Sequence, residues 1–152
     1  MLIICLAAAV FAGDWLIKQR IEKHYGFERQ KMLLKGRVCI CKLYNPGAAM
    51  GLLKHHRRLL DVVSVSSILY ILYLIPGLMK RGKRIERAGI GLVLGGALNN
   101  CYERIFKGRV TDYINFPRLK GKVKHIVFNL SDFAIMIGGM MLIAGEQLRK
   151  RK

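Results

Sequence analysis

Acidic residues are what this chain has least of. Nine Asp and Glu stand against 27 Lys and Arg, a formal net charge of +18 over 152 residues. The four cysteines, Cys5, Cys39, Cys41 and Cys101, form no C-x-x-C and share no repeated spacing. On a strand Cys39 and Cys41 would share a face, where they serve as small apolar fillers rather than as a disulfide or metal pair. The four histidines, His24, His55, His56 and His125, are scattered without ligand spacing, so no metal site is expected. No basic region precedes the first apolar run. Small residues at Ala7–Ala9 and Ala12–Gly13 resemble a cleavage site, yet the run reads as a first membrane helix that is kept.

What the chain does have is apolar length. It is 53% hydrophobic. High basicity alone would suit a nucleic-acid binder, but such a protein does not also hold several long, nearly uncharged runs. No nucleic-acid partner is expected. The two traits together describe a single-domain, multi-pass membrane protein with basic flanks that meet membrane lipids, anionic ones above all.

The spans fall at roughly 1–20, 59–79, 87–106 and 126–148 of the single domain 1–152. The clearest is Leu59–Met79, 21 residues with Asp61 as the one charge and Pro76-Gly77 loosening its end. Asp14 and Lys18, four apart, share a helix face and can pair; the plainer alternative is an interfacial salt bridge that ends the helix. Glu22–Lys35 reads as charged and peripheral. Arg37–Tyr44 alternates like a short strand, Asn45-Pro46-Gly47 is a turn, and Ala48–Leu53 is too short to span and suits an interfacial helix. Lys80–Arg87 is a basic loop. Gly89, Gly91, Gly95 and Gly96 make the third helix one that can pack closely.

Polar groups then gather at the membrane boundary. Asn100 and Arg104 share a helix face beside Glu103, and Gly108 allows a turn before Val110–Phe116, which carries Asp112. Asn129 and Asp132, three apart, begin the fourth span. Asp132 lies roughly 21 Å along a helix from Glu146, inside the outer third of a core about 30 Å thick. A lone carboxylate there is costly, and a site that uses it is the more economical reading. Asp112 and Asp132 are therefore read as a catalytic carboxylate pair. Two carboxylates sharing a site cannot both ionise cheaply, so one would act as base on a water and the other would stay protonated. Which is which stays open at this point.

At these residues the sequence resembles the lipoprotein signal peptidase (signal peptidase II) family of bacterial membrane aspartyl proteases. The motifs stand as Asp14–Lys18, NPGAAMGLL from Asn45, GGALNNCYER from Gly95, GRVTDYINF from Gly108 and FNLSDFAI from Phe128, in family order. Three positions depart from the pattern: Asn99 for a glycine, Glu103 for an aspartate and Ser131 for an alanine. The resemblance implies an all-α membrane fold of four transmembrane helices, with a small β-cradle and an interfacial helix on the outer face. It implies Asp112 and Asp132 as the catalytic pair, Asn45, Asn100, Arg104 and Asn129 as residues lining the site, and Asp14 and Lys18 as supporting it. It implies cleavage of prolipoproteins just before a diacylglyceryl-modified cysteine, in the bacterial cytoplasmic membrane near its outer face. No metal or cofactor is called for, and the chain is expected to act as a monomer. The alternatives are a divergent paralogue that binds lipopeptide or lipid without cleaving it, and a membrane packing protein whose Asn and Asp merely bond between helices.

The resemblance places Lys18–Arg58 and Arg104–Lys124 outside, with 11 and 7 Lys and Arg, against five and four in the inside segments. The count alone favours the inverted topology. The inside charges are the denser, set tight against helix ends, and the motifs decide the orientation expected here.

Overall fold

The computed structural model describes residues 1–47 and 56–150. Four long helices run α1 (Leu2–His24), α2 (Arg57–Arg81), α3 (Arg84–Lys107) and α4 (Leu130–Lys150). Four short strands, β1 (Lys31–Leu33), β2 (Val38–Asn45), β3 (Val110–Asn115) and β4 (Val127–Phe128), form one antiparallel sheet in that order. The chain is thus mostly helical with a small sheet. Two of the helices, α1 and α2, are long and apolar enough to cross a membrane. The interfacial helix expected over Ala48–Leu53 lies outside the described residues, as do the last two residues of the basic tail.

Helix α3 is the hub, packed against α1, α2 and α4. Its glycines make this possible. A Cβ at Gly95 would sit 2.5 Å from the Ala7 carbonyl oxygen on α1, and one at Gly96 would sit 2.5 Å from the Ser131 carbonyl oxygen on α4. Only hydrogen fits in those gaps, so the small residues set the helix spacing. Ile3 and Ala7 of α1, Ile71 of α2, and Ile90 and Leu94 of α3 form a buried apolar cluster. The other face of α2 is bare: Val62, Leu69, Tyr70 and Tyr73 are all well exposed. Pro76 sits within α2, which runs on to Arg81.

The polar end is built differently from the sequence expectation in two places. Residues 31–33, within the charged stretch read as peripheral, pair with β2 as an edge strand. The fourth helix starts at Leu130, not at 126, because Val127 and Phe128 pair with Asn115 and Ile114 of β3. Asn129 then caps the helix. Its Oδ1 accepts from Asp132 N at 2.9 Å, and Asp132 Oδ2 accepts from Asn129 N at 3.0 Å. This reciprocal pair is a capping box. Asn129 and Asp132 therefore bond to each other across the helix end, Asn129 as the cap and Asp132 in the first turn.

Candidate active site

Strand β3 delivers Asp112 to the end of the bundle. Gly108 ends α3 in the left-handed region, φ 70°, where a side chain would also meet the Arg57 guanidinium. The turn it makes sends the chain back as Val110–Asn115. Alternation along the strand then sorts the side chains. Thr111 and Tyr113 face the helices, while Asp112 points into a cavity of about 630 Å³. Asn45, Arg104, Asp112 and Asp132 line this cavity, with apolar walls from Leu43, Val127, Phe128 and Ile135. Next to it, the rings of Phe116, Phe128 and Phe133 pack with centroids 5.6–6.1 Å apart.

Asp112 is buried and Asp132 half-buried, and both are held by amides. Asp112 Oδ1 accepts from Asn129 Nδ2 at 2.7 Å and its Oδ2 from Asn45 Nδ2 at 3.1 Å. Asp132 Oδ1 accepts from Asn100 Nδ2 at 2.9 Å, and its Oδ2 from the Asn129 backbone N–H at 3.0 Å. Asn129 thus contacts both aspartates, through its side chain and its main chain. Asn45 is itself fixed, since its Oδ1 accepts from Gly47 N at 3.0 Å in a turn. Burial first, then the neighbouring Asp132 carboxylate, push Asp112 up from 3.8 to about 7, while the Asn45 and Asn129 amides pull the other way. Arg104 reaches the same cavity, and its buried Nε has no partner among the described residues.

Behind the aspartates lies a polar layer that sequence reasoning reached only in part. Asp14 and Lys18 are fully buried and 3.1 Å apart, and α1 continues past them to His24, so the pair does not end the helix. Lys18 Nζ donates to Asn99 Oδ1 at 2.8 Å and Asn100 Oδ1 at 3.0 Å, and meets Glu103 Oε2 at 3.0 Å. Asp14 Oδ1 accepts from the Tyr113 hydroxyl at 2.7 Å, and Oδ2 from Ser131 Oγ at 2.5 Å. The Tyr113 phenol, raised by burial and then by Asp14, keeps its proton for this bond and accepts from Leu130 N at 3.1 Å.

The structure therefore brings all eight predicted residues to one end of the bundle: the two aspartates, Asn45, Asn100, Arg104 and Asn129 around them, and Asp14–Lys18 behind. Asn99, Glu103, Thr111, Tyr113 and Ser131 were not predicted as members. Three of them were visible as departures from the motif pattern, which was the one available signal. Cys39 is buried and Cys41 half-buried, both as free thiols. Among the described residues, no group of three or more His, Cys, Asp and Glu is placed to hold a metal ion.

Residues 6–147 match the family described as Signal peptidase (SPase) II. The chain belongs to the signal peptidase II family. It is 32% identical over 151 residues to the lipoprotein signal peptidase of Caldicellulosiruptor bescii, covering 95% of this chain and 93% of that one. It is 31% identical over 155 residues to the lipoprotein signal peptidase of Desulfitobacterium hafniense, covering 100% of this chain and 97% of that one. The fold matches a bacterial membrane enzyme solved in meso at 2.3 Å, with a TM-score of 0.85 at 22% identity over 99% of this chain and 89% of that one. A second such enzyme, solved at 1.9 Å, gives 0.78 at 22% identity over 93% of this chain and 90% of that one. Within the signal peptidase II family, then, this member carries Asn45, Asp112 and Asp132 on one cavity at one end of the helices, with Asn100 and Asn129 bonded to the aspartates.

Proposed function

We propose that this signal peptidase II family member is an aspartic endopeptidase that removes the signal peptide from diacylglyceryl-modified prolipoproteins, cutting just before the lipidated cysteine. The observation that carries the reading is the pair of carboxylates withdrawn from solvent, Asp112 buried and Asp132 half-buried, joined through Asn129 at the wall of an apolar cavity. A binding protein has no use for two such groups, because each is costly to bury.

Asp132 is the base. Unlike Asp112 on its strand, it stands in the first turn of α4 and accepts a backbone N–H from Asn129 beside the Asn100 amide, where the helix N-terminus favours a carboxylate. Asp112, pushed up to about 7, is the acid. A water between them gives its proton to Asp132 as its oxygen attacks the scissile carbonyl carbon. Asp112 donates its proton to the carbonyl oxygen. The gem-diol intermediate collapses as Asp132 passes its proton to the leaving nitrogen, the C–N bond breaks, and Asp112 takes back a proton from a gem-diol hydroxyl, so both carboxyls return to their starting states. The apolar walls lower the local dielectric and sharpen the difference between the two carboxyls. Arg104 holds a carbonyl or lipid ester oxygen through its guanidinium. Asn45, Asn100 and Asn129 set the acid and the base, and Asp14–Lys18 support them from behind.

All four helices cross the membrane in this reading. Their 23, 25, 24 and 21 residues give lengths of roughly 32–38 Å, enough for a hydrocarbon core of about 30 Å. The bare face of α2 meets lipid, the sheet lies at the outer surface, and the enzyme works as a monomer among anionic lipids. No cofactor takes part.

The test is cleavage by the purified chain of matched prolipoproteins with and without the diacylglyceryl group. Cutting of the lipidated form before its cysteine is expected. Binding without cutting would establish the non-catalytic alternative.

A further inference from the structure

Glu103 is a fully buried carboxylate on α3 that lines no part of the catalytic cavity. One of its oxygens nevertheless leads to both aspartates. Oε2 accepts from Thr111 N at 2.9 Å, and Thr111 is the residue before Asp112 on β3. The same oxygen meets Lys18 Nζ at 3.0 Å. Lys18 in turn donates to Asn100 Oδ1 at 3.0 Å, and Asn100 Nδ2 donates to Asp132 Oδ1 at 2.9 Å. An amide can face either way, and a cation on its oxygen leaves the NH₂ group for the carboxylate. Oε1 accepts from Lys107 Nζ at 2.9 Å and Thr111 Oγ1 at 3.3 Å.

The ammonium of Lys18 has three protons and four oxygens around it: Asp14 Oδ2, Glu103 Oε2, Asn99 Oδ1 and Asn100 Oδ1. Asn99 is tied to α1 by a 2.8 Å bond from its Nδ2 to the Phe11 carbonyl. The two residues of α3 that depart from the motif pattern, Asn99 and Glu103, therefore meet on one ammonium. The charges facing this layer are Asp14, Lys18 and Glu22 from α1, Glu103 and Lys107 from α3, Asp112 from β3 and Asp132 from α4; across the cavity Asp112 also faces Arg104 of α3 and His125 of the segment before β4, both unchanged by substitution at Glu103. Apart from the two aspartates at the cavity, the charges of the layer are two cations and three anions, a net charge of −1.

We infer that Glu103 is the positioning residue of the dyad. It holds the strand of Asp112 through the Thr111 N–H and the amide bound to Asp132 through Lys18 and Asn100, so one buried carboxylate that touches neither aspartate sets both. The inference rests on the peptidase reading for the meaning of the dyad, but its coupling to Asp112 can be read without substrate.

Two variants separate charge from reach. Glu103→Gln keeps the shape and an acceptor for Thr111 N–H but takes the layer from −1 to 0. Ionisation of Asp112 then becomes easier. Its midpoint, followed by carbon-13 carboxyl titration in detergent, falls by about one unit, and the alkaline limb of kcat moves with it. At the optimum kcat falls on the order of tenfold or more with KM little changed. Glu103→Asp keeps the charge, so the midpoint and the limb stay in place. Its shorter arm cannot serve Lys18 and Thr111 together, and kcat alone falls. Loss of thermal stability in both variants with an unmoved Asp112 midpoint in Glu103→Gln would make Glu103 purely structural and overturn the inference. Should Glu103→Gln not fold, wild-type kcat in Glu103→Asp would overturn it, and a lowered kcat at unchanged KM and unmoved limb would support it. A wild-type enzyme that cuts no lipidated prolipoprotein defeats the peptidase reading instead, and the substrate-free titration still decides the role of Glu103.

Discussion

Asn129 Nδ2 donates to Asp112 Oδ1 at 2.7 Å, and this bond ties the residue that caps α4 to the middle of β3. The aspartates stand 20 residues apart in the chain, on different elements, and Asn129 fixes one against the other. Asn129→Ala removes the bond to Asp112 and the cap on Asp132 N together. The cap alone is worth about 1 kcal/mol, which thermal unfolding in detergent should show. Activity should fall much further, on the order of a hundredfold in kcat, since the acid is no longer aimed. A loss of activity no larger than the stability change explains would mean Asn129 serves only the helix.

Activity and stability should both carry the mark of the raised Asp112. The acid must hold its proton, so kcat should decline above about pH 7 with a limiting tenfold loss per pH unit. Stability follows by linkage. The native carboxyl binds its proton more tightly than the unfolded one, whose value is near 3.8. Stability is therefore greatest below about 4, falls as pH rises to about 7, and levels off above. Melting curves of wild type and Asp112→Asn across this interval check the sign. The variant should be flatter, and should gain most on wild type at the upper end.

Close helix packing gives a prediction remote from the chemistry. Gly96→Ala would place a methyl 2.5 Å from the Ser131 carbonyl oxygen, one residue before Asp132. The clash falls on backbone, which cannot swing aside, and should cost about 1–3 kcal/mol. Because it pushes α4 from α3 at the dyad, kcat should drop along with the melting temperature. Gly139→Ala, where a Cβ meets nothing within 4 Å, is the control and should change neither.

The membrane orientation has a direct readout. With the sheet and dyad outside and four crossings, both termini lie in the cytoplasm. A reporter fused after Lys152 should be active only as a cytoplasmic reporter. Extracytoplasmic activity would invert the topology, as the raw count of basic residues would have it.

The helices and the two aspartates were legible because each breaks a simple pattern. Leu59–Met79 is too long and too apolar for anything but a buried or spanning helix, and Asp132 stands out as a carboxylate inside an apolar run. The start of α4 was not legible. Two strand residues, Val127 and Phe128, are too few to show a period of two, so their apolar character reads as more helix. The layer behind the dyad was hidden for another reason. Thr111 and Glu22 bond at 2.7 Å across 89 residues of chain, and nothing local to either records the other. Glu103 and Asn99 showed only as mismatches with a motif. Their shared contact with Lys18 needs the packed α1 and α3 to be seen.

Asp112 and Asp132 carry the whole of the chemistry. Lipidated prolipoprotein should be offered to wild type, Asp112→Asn and Asp132→Asn, each checked for folding by its melting temperature. Near-complete loss of cleavage in each single variant, with folding retained, is the expected result. Substantial residual turnover in either folded variant would contradict an acid–base pair at this site.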